Sequence, residues 1–230
     1  MSAEETQLKK HQETIDKLRK HVETSFTQAE KGISQITNEI LTIEGMSGTA
    51  TRHFYNNICS LPGALYLEVG AWKGSTFVSA MYKNQAHGIS IDNWTEFGGP
   101  KVEFSANLAK FIPEAKITVI DTDSFSPATL DQIKNDSIDI YVYDGDHSYE
   151  AQYKAVTMYK TKLKPVSILI VDDFNWLQVQ RGTRDAIRDS GLKVEFEKVF
   201  LTSQNGEHAH VDLARQSFWN GIFVAVLSKA

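Results

Sequence analysis

Apolar positions follow three different patterns along this chain. In the first 45 residues Leu8, Ile15, Val22, Ala29, Ile36 and Ile43 recur seven apart, with Leu18, Phe26, Ile33 and Ile40 between them. That spacing keeps one side of a helix apolar and predicts a helical arm, broken near Gly32. His11 and Ser25 interrupt the stripe, so it suits an imperfect coiled-coil seam, a lid, or a helix packed on its own domain. A helix at about 50–60, stopped by Pro62-Gly63, follows the turn at 44–49. From residue 64, short apolar runs alternate with amphipathic stretches. The runs predict strands at 65–69, 87–91, 116–120, 138–143 and 167–171. The stretches predict helices near 75–84, 101–111, 127–134, 148–161 and 178–189. After Gly191 two strand-like runs, 192–202 and 218–227, flank a polar segment with no clear helical pattern. This end predicts an antiparallel hairpin on the sheet edge.

Alternating strands and helices require right-handed crossovers. The fold class expected is therefore α/β: a doubly wound, mostly parallel seven-stranded sheet with an N-terminal helical arm. The arm would span 1–45 and the main domain 46–230.

Composition narrows the partners. The chain has 230 residues and a net charge of −5, which argues against general nucleic-acid binding. No apolar run approaches the roughly 18 residues of a membrane helix. Met1-Ser2-Ala3-Glu4-Glu5 lacks the basic and apolar parts of a secretory signal, and Cys59 is the only cysteine. A cytoplasmic protein is expected, without membrane or nucleic-acid partners, and self-associating through the arm.

The chemistry gathers at strand ends. The first strand runs into Glu68-Val69-Gly70-Ala71-Trp72-Lys73-Gly74-Ser75-Thr76. Gly70 and Gly74 allow close backbone approach, but the order is neither a dinucleotide fingerprint nor a phosphate loop. Glu68 would repel a phosphate and attract an ammonium group. That suits S-adenosylmethionine, whose carboxylate end could meet Ser75, Thr76 and the helix start. Asp92, 92 − 68 = 24 residues on, is placed to accept ribose hydroxyls. Trp94 would pack on the adenosine, wall the substrate, or join the core. Asp123 and Ser124 would meet adenine or cap the next helix.

Asp144 ends the fourth strand and Asp172-Asp173 the fifth. Three converging carboxylates repel one another unless a cation sits between them, so Mg²⁺ or another divalent ion is expected there. Such an ion would hold a substrate hydroxyl and lower its pKa. His147 or Asp146 would then remove the proton, with His147 favoured because it titrates near neutrality. His208 and His210 lie in the late polar loop, where a solvated histidine is the commoner case.

The loop at 68–76 resembles the cofactor loop of class I S-adenosylmethionine-dependent methyltransferases, in the form found in the catechol and caffeoyl-coenzyme A O-methyltransferase branch. Asp144-Gly145-Asp146-His147-Ser148-Tyr149-Glu150 with Asp172-Asp173 is more similar to the macrocin-type sugar O-methyltransferases. The resemblance covers about residues 64–228. It implies a Rossmann-like methyltransferase fold, magnesium on Asp144, Asp172 and Asp173, and a base at His147. It implies cofactor contacts from Glu68, Thr76, Asp92 and Ser124, with Met46 and Ser47 in the segment that closes over the cofactor. The catechol branch has Asn where Asp173 stands and a lysine base that is missing here. The acceptor implied is therefore a sugar or another hydroxylated small molecule. A cephalosporin-hydroxylase-like enzyme and a non-catalytic binding or assembly module remain the alternatives.

Overall fold

The structure is a computed structural model that describes residues 2–204 and 206–229. The arm is helix α1 (Ala3–Ala29), started by a Ser2–Glu5 capping box. A short turn of helix α2 (Asn38–Leu41) and α3 (Thr49–Ile58) follow. The alternating core then runs β1 (Leu65–Val69), α4 (Ser75–Met81), β2 (His87–Asp92), α5 (Lys101–Phe111), β3 (Lys116–Asp121) and α6 (Pro127–Asp131). It continues with β4 (Ile138–Tyr143), α7 (Tyr149–Tyr159), β5 (Leu163–Asp172) and α8 (Leu177–Asp189). The chain closes with β6 (Leu192–Phe200), α9 (Val211–Gln216) and β7 (Ile222–Lys229).

The sheet order is β3-β2-β1-β4-β5-β7-β6. The first five strands are parallel; β7 lies antiparallel between β5 and β6. This is a seven-stranded, mostly parallel Rossmann-like fold. The expected hairpin is present, but the segment between its strands contains α9, a helix with no apolar stripe long enough to announce it. The order reverses between β1 and β4, so their carboxyl ends open a crevice there.

Strand residues alternate between two cores, as the pleat requires. On one face Tyr66, Ile140, Val142, Ile168 and Ile170 pack with residues of α1, α3 and α4. On the other, Leu67, Val69, Tyr141, Leu169 and Val171 pack with α7 and α8. The arm belongs to the first core. Ile15, Leu18, Val22, Phe26 and Ala29 are buried in it, and Phe26 meets Phe54 and Phe218 at ring distances of 4.3 and 5.1 Å. Ser25, which interrupts the stripe, is buried as well. Most of the heptad stripe is thus buried against the chain's own domain; Leu8 and Ile33 are its exposed members. Among the described residues no helix is long and apolar enough to cross a membrane.

Candidate active site

A cavity of about 970 Å³ opens at the carboxyl ends of the parallel strands. Its floor is the turn after β1. Gly70 has φ +90°, and a Cβ there would lie 1.9 Å from the Asp144 carbonyl oxygen. Only glycine lets the β1 and β4 ends approach so closely. Gly70, Ser75 and Thr76 line the cavity, with Met46 and Ser47 facing them from the segment before α3. Two residues expected here do not. Gly74 turns away with φ +83°, where a Cβ would press on Phe104 at 2.9 Å. Glu68 is fully buried beneath the loop and does not line the cavity. Tyr66 O–H donates to its Oε2, and Thr76 Oγ1 donates to its Oε1 at 2.6 Å. Burial, the largest influence, outweighs those two hydrogen bonds and raises its pKa to about 8. Glu68 therefore braces the loop from below through Tyr66 and Thr76.

Asp92 lies at the rim. Its Oδ2 accepts from the Trp72 N–H at 2.8 Å and its Oδ1 from the Trp94 N–H at 2.7 Å. Each oxygen keeps a lone pair for a further donor, such as a ribose hydroxyl. Trp94 combines two of its expected roles. It is buried against Phe104, its Nε1 donates to the Trp72 carbonyl at 2.9 Å, and it still lines the cavity. Asp123 and Ser124 also line it. Asp123 accepts from the Phe125 N–H, while the helix cap is Ser126, not Asp123.

The acidic end of the cavity differs from the expected trio. Tyr143 of β4 pairs with Val171 of β5, which brings the two strand ends side by side. Ligand atoms of Asp144, His147 and Asp173 lie within 4.8 Å of one another. His147 Nε2 is 2.9 Å from Asp173 Oδ2 and 4.0 Å from Asp144 Oδ1. Asp172 is outside this group. It has the parity of Ile168 and Ile170, faces the core that contains α3, and does not line the cavity. Asp173 instead follows the strand with φ +54°, a left-handed turn that brings it to the cavity. His147 takes the place in the cluster that Asp172 was expected to fill.

Burial raises the Asp144 pKa to about 6, with Asp173 adding to the rise and His147 opposing it. Burial would lower His147, but Asp144 and Asp173 together outweigh it and lift its pKa to about 10. The His147–Asp173 pair is close yet not aligned as a hydrogen bond. His147 Nε2 and Asp173 Oδ1 are buried without a hydrogen-bond partner. Oxygen and nitrogen donors that converge without satisfying one another suit a divalent cation, so the residues present fit one. Asp146, the other candidate base, is committed elsewhere: Oδ1 accepts from the Ser148 N–H at 2.6 Å, and this hydrogen bonding holds its pKa low.

The far wall is aromatic. Trp176 stands edge-on to His147 at 4.6 Å and to His208 at 5.3 Å, and Trp219 lines the same side. His208 is thus at the cavity, whereas His210 is solvated and 77% exposed. Phe174 is a core residue stacked on Phe223. Asn175 and Asn220 carry no motif, yet they pin the late loop here. Asn175 Oδ1 accepts from the Thr202 and Ser203 N–H groups, and Asn220 Oδ1 from the Ala209 N–H at 3.0 Å.

Residues 67–174 match the sequence family described as a methyltransferase domain. No curated protein matches the chain. Solved structures share its fold at low identity. Precorrin-6y C5,15-methyltransferase from Geobacter metallireducens superposes with a TM-score of 0.54 at 14% identity, covering 77% of this chain and 88% of that one. The precorrin 8W decarboxylase of Methanobacterium thermoautotrophicum gives 0.54 at 18%, covering 82% and 94%. A Klebsiella pneumoniae protein provisionally described as an O-methyltransferase gives 0.52 at 12%, covering 94% and 90%. The family match thus spans the strands from β1 to the end of β5 that frame the cavity, and the low-identity structures share the fold.

Proposed function

We propose that this chain transfers a methyl group from S-adenosylmethionine to a hydroxyl of a small polyhydroxylated acceptor, such as a sugar, with a divalent cation holding the acceptor oxygen. One observation carries the reading. A single cavity has a ribose-type carboxylate, Asp92, on its rim and the unsatisfied Asp144–His147–Asp173 cluster in the same wall system.

The cofactor would supply an electrophilic methyl on a sulfonium, and the cation would lower the pKa of the hydroxyl that receives it. The remaining tasks fall to the chain. Asp92 accepts from the ribose, Trp94 walls the adenosine, and Gly70 leaves room for the backbone approach. Asp144 and Asp173 would hold the cation, with His147 Nε2 beside it and left free for a proton. His147 carries a proton on Nε2 when only Asp144 and Asp173 face it, and can accept one when a cation engages those carboxylates. The acceptor's proton then passes to Nε2, with Asp144 sharing the charge as part of one coupled unit. Trp176 and Trp219 offer flat faces to a sugar ring and exclude water from the reacting oxygen.

The test is product formation. S-adenosylhomocysteine released from a panel of sugars and polyphenols, with magnesium present and then chelated, reports acceptor class and metal need together. The structural neighbours act on varied acceptors, so a panel limited to one chemistry would not be decisive. No thermal shift with S-adenosylhomocysteine would sink the cofactor assignment; turnover unaffected by chelation would sink the cation.

A further inference from the structure

The loop between β6 and α9 is held by two buried amides, and both act on the same residue. Asn175 and Asn220 are 1% and 6% exposed, and the Asn175 N–H donates to the Asn220 carbonyl at 2.8 Å. Gly221 permits this closeness: with φ +88°, a Cβ there would fall 2.6 Å from Asn175 Oδ1. From this platform the side chains grip the backbone on either side of His208. Asn175 Nδ2 donates to the Glu207 carbonyl at 3.3 Å, and Asn220 Oδ1 accepts from the Ala209 N–H at 3.0 Å. Burying two amides is costly unless their hydrogen bonds are made, so losing the loop's position would leave both unsatisfied. His210, two residues on, has no such bracket; it is 77% exposed beside Asp212 at 3.8 Å.

The imidazole is oriented as well. It stands edge-on to Trp176 at 5.3 Å, and Trp176 stands edge-on to His147 at 4.6 Å. Asn220 also settles which ring nitrogen is free. Its Oδ1 is committed to the Ala209 N–H, which an amide nitrogen could not accept, so Nδ2 faces His208 Nδ1 at 3.5 Å. A neutral ring that faces an N–H donor through Nδ1 carries its own proton on Nε2. His208 lines the cavity, and among the described residues its Nε2 has no hydrogen-bond partner.

We propose that His208 is an acceptor-binding residue: its Nε2–H donates to a second, non-reacting oxygen of the acceptor. It thereby selects which hydroxylated molecules present their reactive oxygen to the Asp144–His147–Asp173 cluster. The proposal rests on the methyl-transfer reading and adds a requirement to it. The acceptor carries a lone-pair oxygen besides the one methylated, on the side of Trp176 that His208 occupies. A molecule with one hydroxyl on an apolar body leaves the Nε2–H unpaired and binds more weakly.

Steady-state kinetics on the full chain test this, with the best acceptor from the sugar and polyphenol panel and its monodeoxy analogues. His208→Phe keeps a ring against Trp176 and removes the donor; His208→Gln returns an N–H near the place of Nε2; His210→Ala is the control. In His208→Phe the acceptor KM should rise roughly tenfold while kcat falls far less, and Gln should recover most of the loss. One monodeoxy analogue should lose roughly tenfold in the wild type and nothing further in His208→Phe, because the donor and its partner act as a pair. Calorimetric affinity for S-adenosylhomocysteine should stay within about twofold in every variant, which a collapsed loop would not allow. An unchanged KM in His208→Phe, the same loss in His210→Ala, or a best acceptor with a single oxygen overturns the role of His208 alone. A wild type that methylates no member of the panel overturns the hydroxyl-transfer reading and this role with it.

Discussion

Glu68 offers the sharpest test of how the cofactor loop is held. Its carboxyl is fully buried and its pKa is raised from 4.5 to about 8, first by desolvation. A folded-state pKa above the unfolded one means the native state binds the extra proton. Its stabilising share is complete below about pH 4.5, falls through the window up to about pH 8, and is gone above it. At 1.36 kcal/mol per unit, the loss between about pH 5 and about pH 8.5 is roughly 4 kcal/mol. Glu68→Gln keeps the shape and removes the titration. Urea unfolding of both proteins across this range isolates the residue, because every other group titrates in both. The difference in stability should move by about 4 kcal/mol in favour of Gln as pH rises, or roughly 8–16 °C in Tm for a domain of this size. Parallel curves for the two proteins would refute the burial of a protonated carboxyl under the loop.

Other positions give cheaper checks. Gly70→Ala places a methyl 1.9 Å from the Asp144 carbonyl at φ +90°, so a loss of about 3 kcal/mol or more is expected in denaturant titration; an unchanged midpoint would contradict the close β1–β4 approach. Magnesium at about 100 times its Kd should stabilise the wild type by about 2.7 kcal/mol, and Asp173→Asn should lose most of that gain in a thermal scan; equal gains would remove Asp173 from the cation site. Phe26→Ala empties a fully buried site between Phe54 and Phe218 and should cost about 3–5 kcal/mol; a surface-like cost under 1 kcal/mol would return the arm to solvent or to a second copy.

Local pattern alone determined much of this protein. Strand positions, the crossovers, the glycine turn at Gly70 and the acids at strand ends follow from periodicity and turn chemistry, which act over a few residues. Even the parity that separates Asp172 from Asp173 is implicit in Ile168 and Ile170. Tertiary structure decided what those side chains meet. The seven-residue stripe of the arm is equally suited to a second helix or to α3 and the sheet, and only the folded chain shows Val22 and Phe26 buried in the latter. Glu68 reads as a free carboxylate at a strand end until Tyr66 and Thr76 are found hydrogen-bonded to it. His147 joins Asp173 across 26 residues of chain, and Asn175 and Asn220 reach the loop on either side of His208. A strand end announces that a polar group will face the crevice, but its partners come from segments distant in sequence. Burial, which sets both charge and pKa, exists only once those segments have packed.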